Sequence, residues 1–158
     1  MTITSNIKWK PLLVNIIIPL AVGTLAGLVT REGMQDYNNV IKPSLSPPDW
    51  LFPIVWTILY TLMGISTYLI YNKDDNVNKT SFIIYAFQLA INFIWPILFF
   101  GFKAYLFAFI IIIILILLVS AMIFLFYKEN IIAAKLQVPY LIWLLFAAYL
   151  NISVYLLN

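Results

Sequence analysis

Neither cysteine nor histidine occurs in the 158-residue chain. Without cysteine there are no disulfides, no thiolate metal sites and no thiol nucleophile. Without histidine the chain lacks the commonest metal ligand, the usual general base and the usual proximal haem ligand. Ser-His-Asp and Cys-His catalysis therefore cannot be assembled. Neither a metal site nor a resident cofactor is expected. Charge is scarce as well: charged residues make up 9% of the chain, where a soluble domain carries roughly 25%. The net charge of +3 is scattered along the sequence and leaves no footprint for nucleic acid.

What remains is apolar: 64% of the residues are hydrophobic and the mean hydropathy is +1.00. Five stretches contain no Asp, Glu, Lys or Arg: Pro11–Thr30, Trp50–Asn72, Thr80–Phe102, Ala104–Tyr127 and Leu136–Asn158. Each is long enough to cross a hydrocarbon core as an α-helix, which takes about 20 residues. A helix satisfies its own backbone hydrogen bonds, as lipid cannot. A β-barrel would need alternating segments, and runs such as Ile110–Leu118 do not alternate. The expected fold is an all-α, five-transmembrane-helix bundle forming one domain. Its helices are placed at about 11–30, 47–72, 80–101, 104–128 and 132–157, with one long loop at 31–46. The first stretch follows Lys8 and Lys10 and contains the small residues Ala21–Gly23, but it is read as a span, being long for a cleaved leader. Lys8, Lys10, Lys73, Lys79, Lys128 and Lys135 fall on one side of such a bundle; Arg31, Lys42 and Lys103 fall on the other. The positive-inside rule then puts the N-terminus in the cytoplasm and the long loop outside.

The second helix announces its start. Ser46 suits a cap, Pro47 a first helical position, and Asp49 approximates a capping box. Pro53 follows within the first turns and is expected to bend the helix. Trp50 sits where an interfacial anchor belongs. Trp56, Tyr60, Gly64 and Thr67 share a face, which reads either as a packing stripe or as a pocket wall. In the third helix Gln88, Asn92, Trp95 and Phe99 also share a face, and two amides there must point into the bundle. They serve interhelical hydrogen bonds or a ligand. Pro96 predicts a second kink. The fourth helix is nearly all Ile, Leu and Phe, and is expected to face lipid. The fifth carries Pro139, Tyr140, Trp143, Ala147 and Asn151 on a stripe where Ala147 leaves room beside Trp143. Gly23 and Gly27 form a GxxxG pair suited to close helix approach.

The segments PPDWLFPIVWTILYTLMG, QLAINFIWPILFFGFK and VPYLIW, in that order on those helices, resemble the TspO/MBR family, the translocator protein or peripheral-type benzodiazepine receptor family. The resemblance runs from about Tyr37 to Asn151. It implies a homodimeric five-helix protein of a bacterial cell membrane, with a pocket beneath the long loop. Expected ligands are porphyrins such as protoporphyrin IX and synthetic benzodiazepine or isoquinoline carboxamide compounds. Ligand-binding positions carried over by motif are Tyr37, Trp56, Tyr60, Asn92, Trp95, Trp143 and Ala147; Gln88 joins them from its place on the amide stripe. Some members are credited with light- and oxygen-dependent porphyrin breakdown, with two tryptophans that match Trp56 and Trp143. Such photochemistry needs neither metal nor an acid–base pair. The remaining alternative is a tetrapyrrole transporter or carrier. Ion coupling is disfavoured, because the five stretches hold no ionisable Asp, Glu, Lys or Arg. Family members often carry Trp where this chain has Asp36 and Leu45, so ligand preference is expected to differ. The animal cholesterol motif needs a Tyr followed by a basic residue, and no Lys or Arg follows Leu136.

Overall fold

The computed structural model describes residues 7–72 and 78–158. Lys73 to Val77, which include one lysine used for the topology, lie outside the described residues. Among the described residues there are six α-helices: α1 (Trp9–Val29), α2 (Arg31–Asp36), α3 (Leu51–Tyr71), α4 (Lys79–Pro96), α5 (Tyr105–Glu129) and α6 (Ile131–Leu157). A 3-10 turn, Tyr37–Asn39, follows α2, and a π-helical turn, Ile97–Gly101, continues α4. Among the described residues there is no strand. Among the described residues five helices are long and apolar enough to span a membrane, α4 counting together with its π turn. The chain is thus an all-α integral membrane protein. Neighbour contacts close the spanning helices into a ring in the order α1, α3, α6, α5, α4.

Lipid offers helices little hydrophobic reason to associate, so close packing and hydrogen bonds must hold them together. Gly64 of α3 lies against the backbone of Asn15 and Ile16 in α1, where even a methyl group would collide. Gly23 of α1 makes a notch for the Tyr60 ring. This half of the GxxxG pair therefore works inside the bundle. Ser66 Oγ on α3 donates to the Ala133 carbonyl on α6 at 2.8 Å. Asn78 and Asn130 cap α4 and α6, and Asn130 is the single residue between α5 and α6.

Several expectations need correction. Helix α3 begins at Leu51, not at 47. A residue preceding proline is pushed out of the α region, so Pro47 and Pro48 disfavour a helical Ser46 and Pro47, and both lie outside the helix. Asp49 caps nothing and instead pairs with Lys42 at 3.0 Å. Pro53 becomes the third helical residue, where its missing N–H has no partner to lose, so it need not bend the helix. The interruption expected at Pro96 takes the form of the π turn, with Phe102 N–H reaching the Ile97 carbonyl at 3.0 Å. The segment 31–46 is not all loop, since its first six residues are α2. Helix α5 does not simply face lipid. Ala108, Ile112, Leu115, Val119, Met122 and Phe126 are at most 1% exposed and recur at alternating steps of four and three. Hydropathy missed that stripe because both faces of α5 are equally apolar; only a partner helix distinguishes them.

Candidate functional site

Toward the α2 end of the bundle, residues of α1 and α3 border a common space. A Cβ on Gly27 would meet nothing within 4 Å, although Gly23, one turn earlier, is filled by Tyr60. The space that opens is a cavity of about 570 Å³, inside the roughly 300–1,000 Å³ range of small-molecule sites. Helix α1 contributes Gly23 and Gly27, α3 Trp56 and Tyr60, α4 Asn92 and Trp95, and α6 Trp143 and Ala147. Tyr37, after α2, closes the top.

The walls are aromatic and mutually braced. Trp56 stacks on Tyr60, one helical turn away, with ring centroids 5.4 Å apart and planes 30° apart. Its edge contact with Tyr140 spans 6.2 Å. Trp143 meets Phe52 edge-on at 5.9 Å. Trp95 stacks on Phe99 at 5.4 Å and is fixed by a 3.0 Å hydrogen bond from its Nε1 to Asn151 Oδ1. In contrast, Trp143 Nε1 is buried with no hydrogen-bond partner among the described residues.

Beneath these rings runs a buried polar chain. Tyr60 Oη donates to Asn92 Oδ1 at 2.5 Å, and Asn92 Nδ2 donates to Tyr140 Oη at 2.8 Å. Tyr140 in turn donates to Gln88 Oε1 at 3.0 Å, and Gln88 Nε2 points at Met63 Sδ, 3.4 Å away. The chain ties α3, α4 and α6 together and fixes the cavity floor. Asn92 thus combines both readings of the amide stripe, interhelical bonding and cavity lining. Gln88 does not: it is fully buried one turn beyond Asn92 and does not border the cavity. Its expected ligand contact is replaced by a supporting one, because Tyr140 and Met63 consume its amide. Every other residue read from the sequence as ligand-binding borders this one cavity.

The roof is held from outside. Asp36 pairs with Lys103 at 2.9 Å, and this hydrogen-bonded carboxylate raises the Lys103 pKa. Lys103 is the one non-glycine residue with positive φ (54°) among the described residues. Gly33 of α2 lies against the Phe100 carbonyl, an approach no side chain would permit. Asn158 accepts from the Ile41 N–H and donates to its carbonyl, both at 3.0 Å. Burial raises the pKa of the Tyr37 hydroxyl. Sequence reasoning missed the roof-side residues Arg31, Gln35 and Asn38, since a six-residue helix in a polar stretch gives no periodic signal. It missed Tyr140 as the hub of the polar chain, although Pro139-Tyr140 was visible as a motif.

No group of three or more His, Cys, Asp or Glu capable of holding a metal is found among the described residues. Fold and site together define a class: a five-helix membrane protein with an aromatic cavity enclosed by its own helices. The chain belongs to the TspO/MBR family, whose model matches residues 15–157. It is 38% identical to the tryptophan-rich protein TspO of Archaeoglobus fulgidus over 153 residues, covering 93% of this chain and 96% of that protein. It is 33% identical to the translocator protein of Sus scrofa, covering 93% and 89%. With the tryptophan-rich sensory protein of Cereibacter sphaeroides the identity is 33%, covering 97% and 94%.

Proposed function

We propose that this protein is a membrane receptor or sensor that binds flat aromatic ligands in the cavity. The ligand class comprises porphyrins such as protoporphyrin IX, together with benzodiazepine and isoquinoline carboxamide compounds. The observation that carries this reading is the convergence of Trp56, Trp95 and Trp143 on one largely apolar space. Large π faces fit such walls by stacking. The buried, unpaired Trp143 N–H favours a ligand bearing a hydrogen-bond acceptor at that depth. With no histidine or cysteine in the chain, recognition rests on the macrocycle rather than on a metal within it. The working setting is a homodimer in a bacterial cell membrane, with the N-terminus in the cytoplasm and α2 outside.

Titration of protoporphyrin IX, followed by quenching of tryptophan fluorescence, tests the reading. Ala147→Phe places a ring in the cavity and is expected to weaken binding at least tenfold while the protein stays folded. Unchanged affinity in that variant would place the ligand elsewhere.

A second reading, light-driven porphyrin breakdown with oxygen as oxidant, is favoured by two cavity tryptophans, Trp56 and Trp143, beside the ligand space. Under illumination the wild type should then bleach protoporphyrin IX faster than the Trp56→Phe/Trp143→Phe variant; equal rates exclude it. A carrier role would instead require net movement of ligand between vesicle populations.

A further inference from the structure

The cavity roof is sorted by charge. Arg31, Met34, Gln35 and Asn38 follow one another at the steps of a single helical face, and all four border the cavity. The acidic residues of α2 do not. Asp36 is spent on Lys103, and Glu32 is exposed away from the cavity wall. Asp49 borders the cavity, but Lys42 neutralises it at 3.0 Å, and the same ammonium sits 4.5 Å over the Tyr37 ring. Arg31 makes no ion pair among the described residues. An apolar aromatic chamber is therefore closed by a surface offering one unpaired guanidinium and two amides, with no unpaired carboxylate.

We propose that Arg31 is the anion-recognising residue of the site, receiving a carboxylate carried on the edge of the flat aromatic ligand, with Gln35 and Asn38 as neutral donors beside it. This rests on the ligand class above and narrows it to amphiphilic acids, oriented with the apolar body in the bundle and the acid at the roof. A guanidinium presents a planar fork that matches a carboxylate through two N–H donors. The residue is exposed at the bundle mouth, so salt weakens the attraction without abolishing it. Met34, between the polar members of the face, covers the apolar edge of the same ligand.

The experiment compares protoporphyrin IX with its dimethyl ester, which keeps the macrocycle and removes both negative charges. Both are titrated into the wild type, Arg31→Gln and Arg31→Lys in one detergent. The ratio of acid to ester affinity is compared between proteins, so that partitioning into detergent cancels. In the wild type the acid is expected to bind about tenfold more tightly than the ester, as befits a partly exposed charge-assisted pair. Arg31→Gln should bring that ratio close to the detergent baseline, while Arg31→Lys restores part of the preference. High salt should reduce the ratio in the wild type and in Arg31→Lys, and leave that of Arg31→Gln unchanged. An identical ratio in wild type and Arg31→Gln overturns the assignment of Arg31 while leaving the cavity reading intact. Failure of the wild type to bind either compound removes the tetrapyrrole reading, and this inference with it.

Discussion

The two ends of the α1–α3 pair are built from the same residue and do opposite things. Near the N-terminal end of α1, Gly64 brings two helix backbones into contact, with Ile16 and Asn15 where its side chain would be. Toward α2, Gly27 faces open space. The first glycine acts by excluding volume and the second by leaving it. Between them Tyr60 fills the notch at Gly23 and anchors the polar chain, marking where dry packing ends and the cavity begins. A membrane bundle cannot gain much by removing apolar surface from lipid, so tight backbone approach at one end must help hold helices that surround a cavity at the other.

This contrast is broken most severely at the closed end. Gly64→Ala adds one methyl that collides with the α1 backbone rather than with a flexible side-chain tip. Helix α1 must shift, at an expected cost of about 1–3 kcal/mol. Thermal unfolding in detergent checks this, and ligand affinity should fall too, because α1 forms a cavity wall. An unchanged transition would mean that the helices do not approach this closely. A smaller effect is expected at the boundary. Tyr140→Phe removes the hydroxyl that accepts from Asn92 and donates to Gln88. Two buried amide atoms lose their partner, a loss of roughly 1–2 kcal/mol given the modest worth of hydrogen bonds inside membranes. The vibrational signatures of both amides should shift with it; loss of stability without such a shift would indicate a packing effect alone.

The packing of the bundle was less legible in the sequence than its spans. Five spans could be read because lipid imposes length and lack of charge on each helix separately. Which face of α5 is buried could not, since Ile112 and Ile113 are chemically identical and only the neighbouring helices make one of them 0% and the other 39% exposed. At the open end, the cavity-bordering positions on the long helices follow from the resemblance, and Trp56, Asn92 and Trp143 also stand out from an apolar background, whereas Arg31, Gln35 and Asn38 on the roof do not. Gln88 shows the limit of that reasoning. A polar residue in a span must face inward, but periodicity does not say whether inward means a cavity or another amide. The start of α3 was misplaced for a local reason: Pro-Pro satisfies the composition of a helix start while forbidding the backbone that precedes it.

The smallest effect on stability, and the sharpest use of the contrast, is at Gly27. Gly27→Ala adds the same methyl as Gly64→Ala, but into space where nothing lies within 4 Å. With no collision to resolve, the backbone entropy saved on replacing glycine in a helix should leave stability unchanged or raised by up to about 1 kcal/mol. Gly27→Leu carries the test further. Its side chain should occupy part of the cavity and lower affinity for protoporphyrin IX while the unfolding transition stays near that of the wild type. The pair Gly64→Ala and Gly27→Leu would then separate folding from binding at two glycines of neighbouring helices. If Gly27→Leu unfolds the protein as Gly64→Ala does, the two ends are packed alike, and the cavity does not extend to α1.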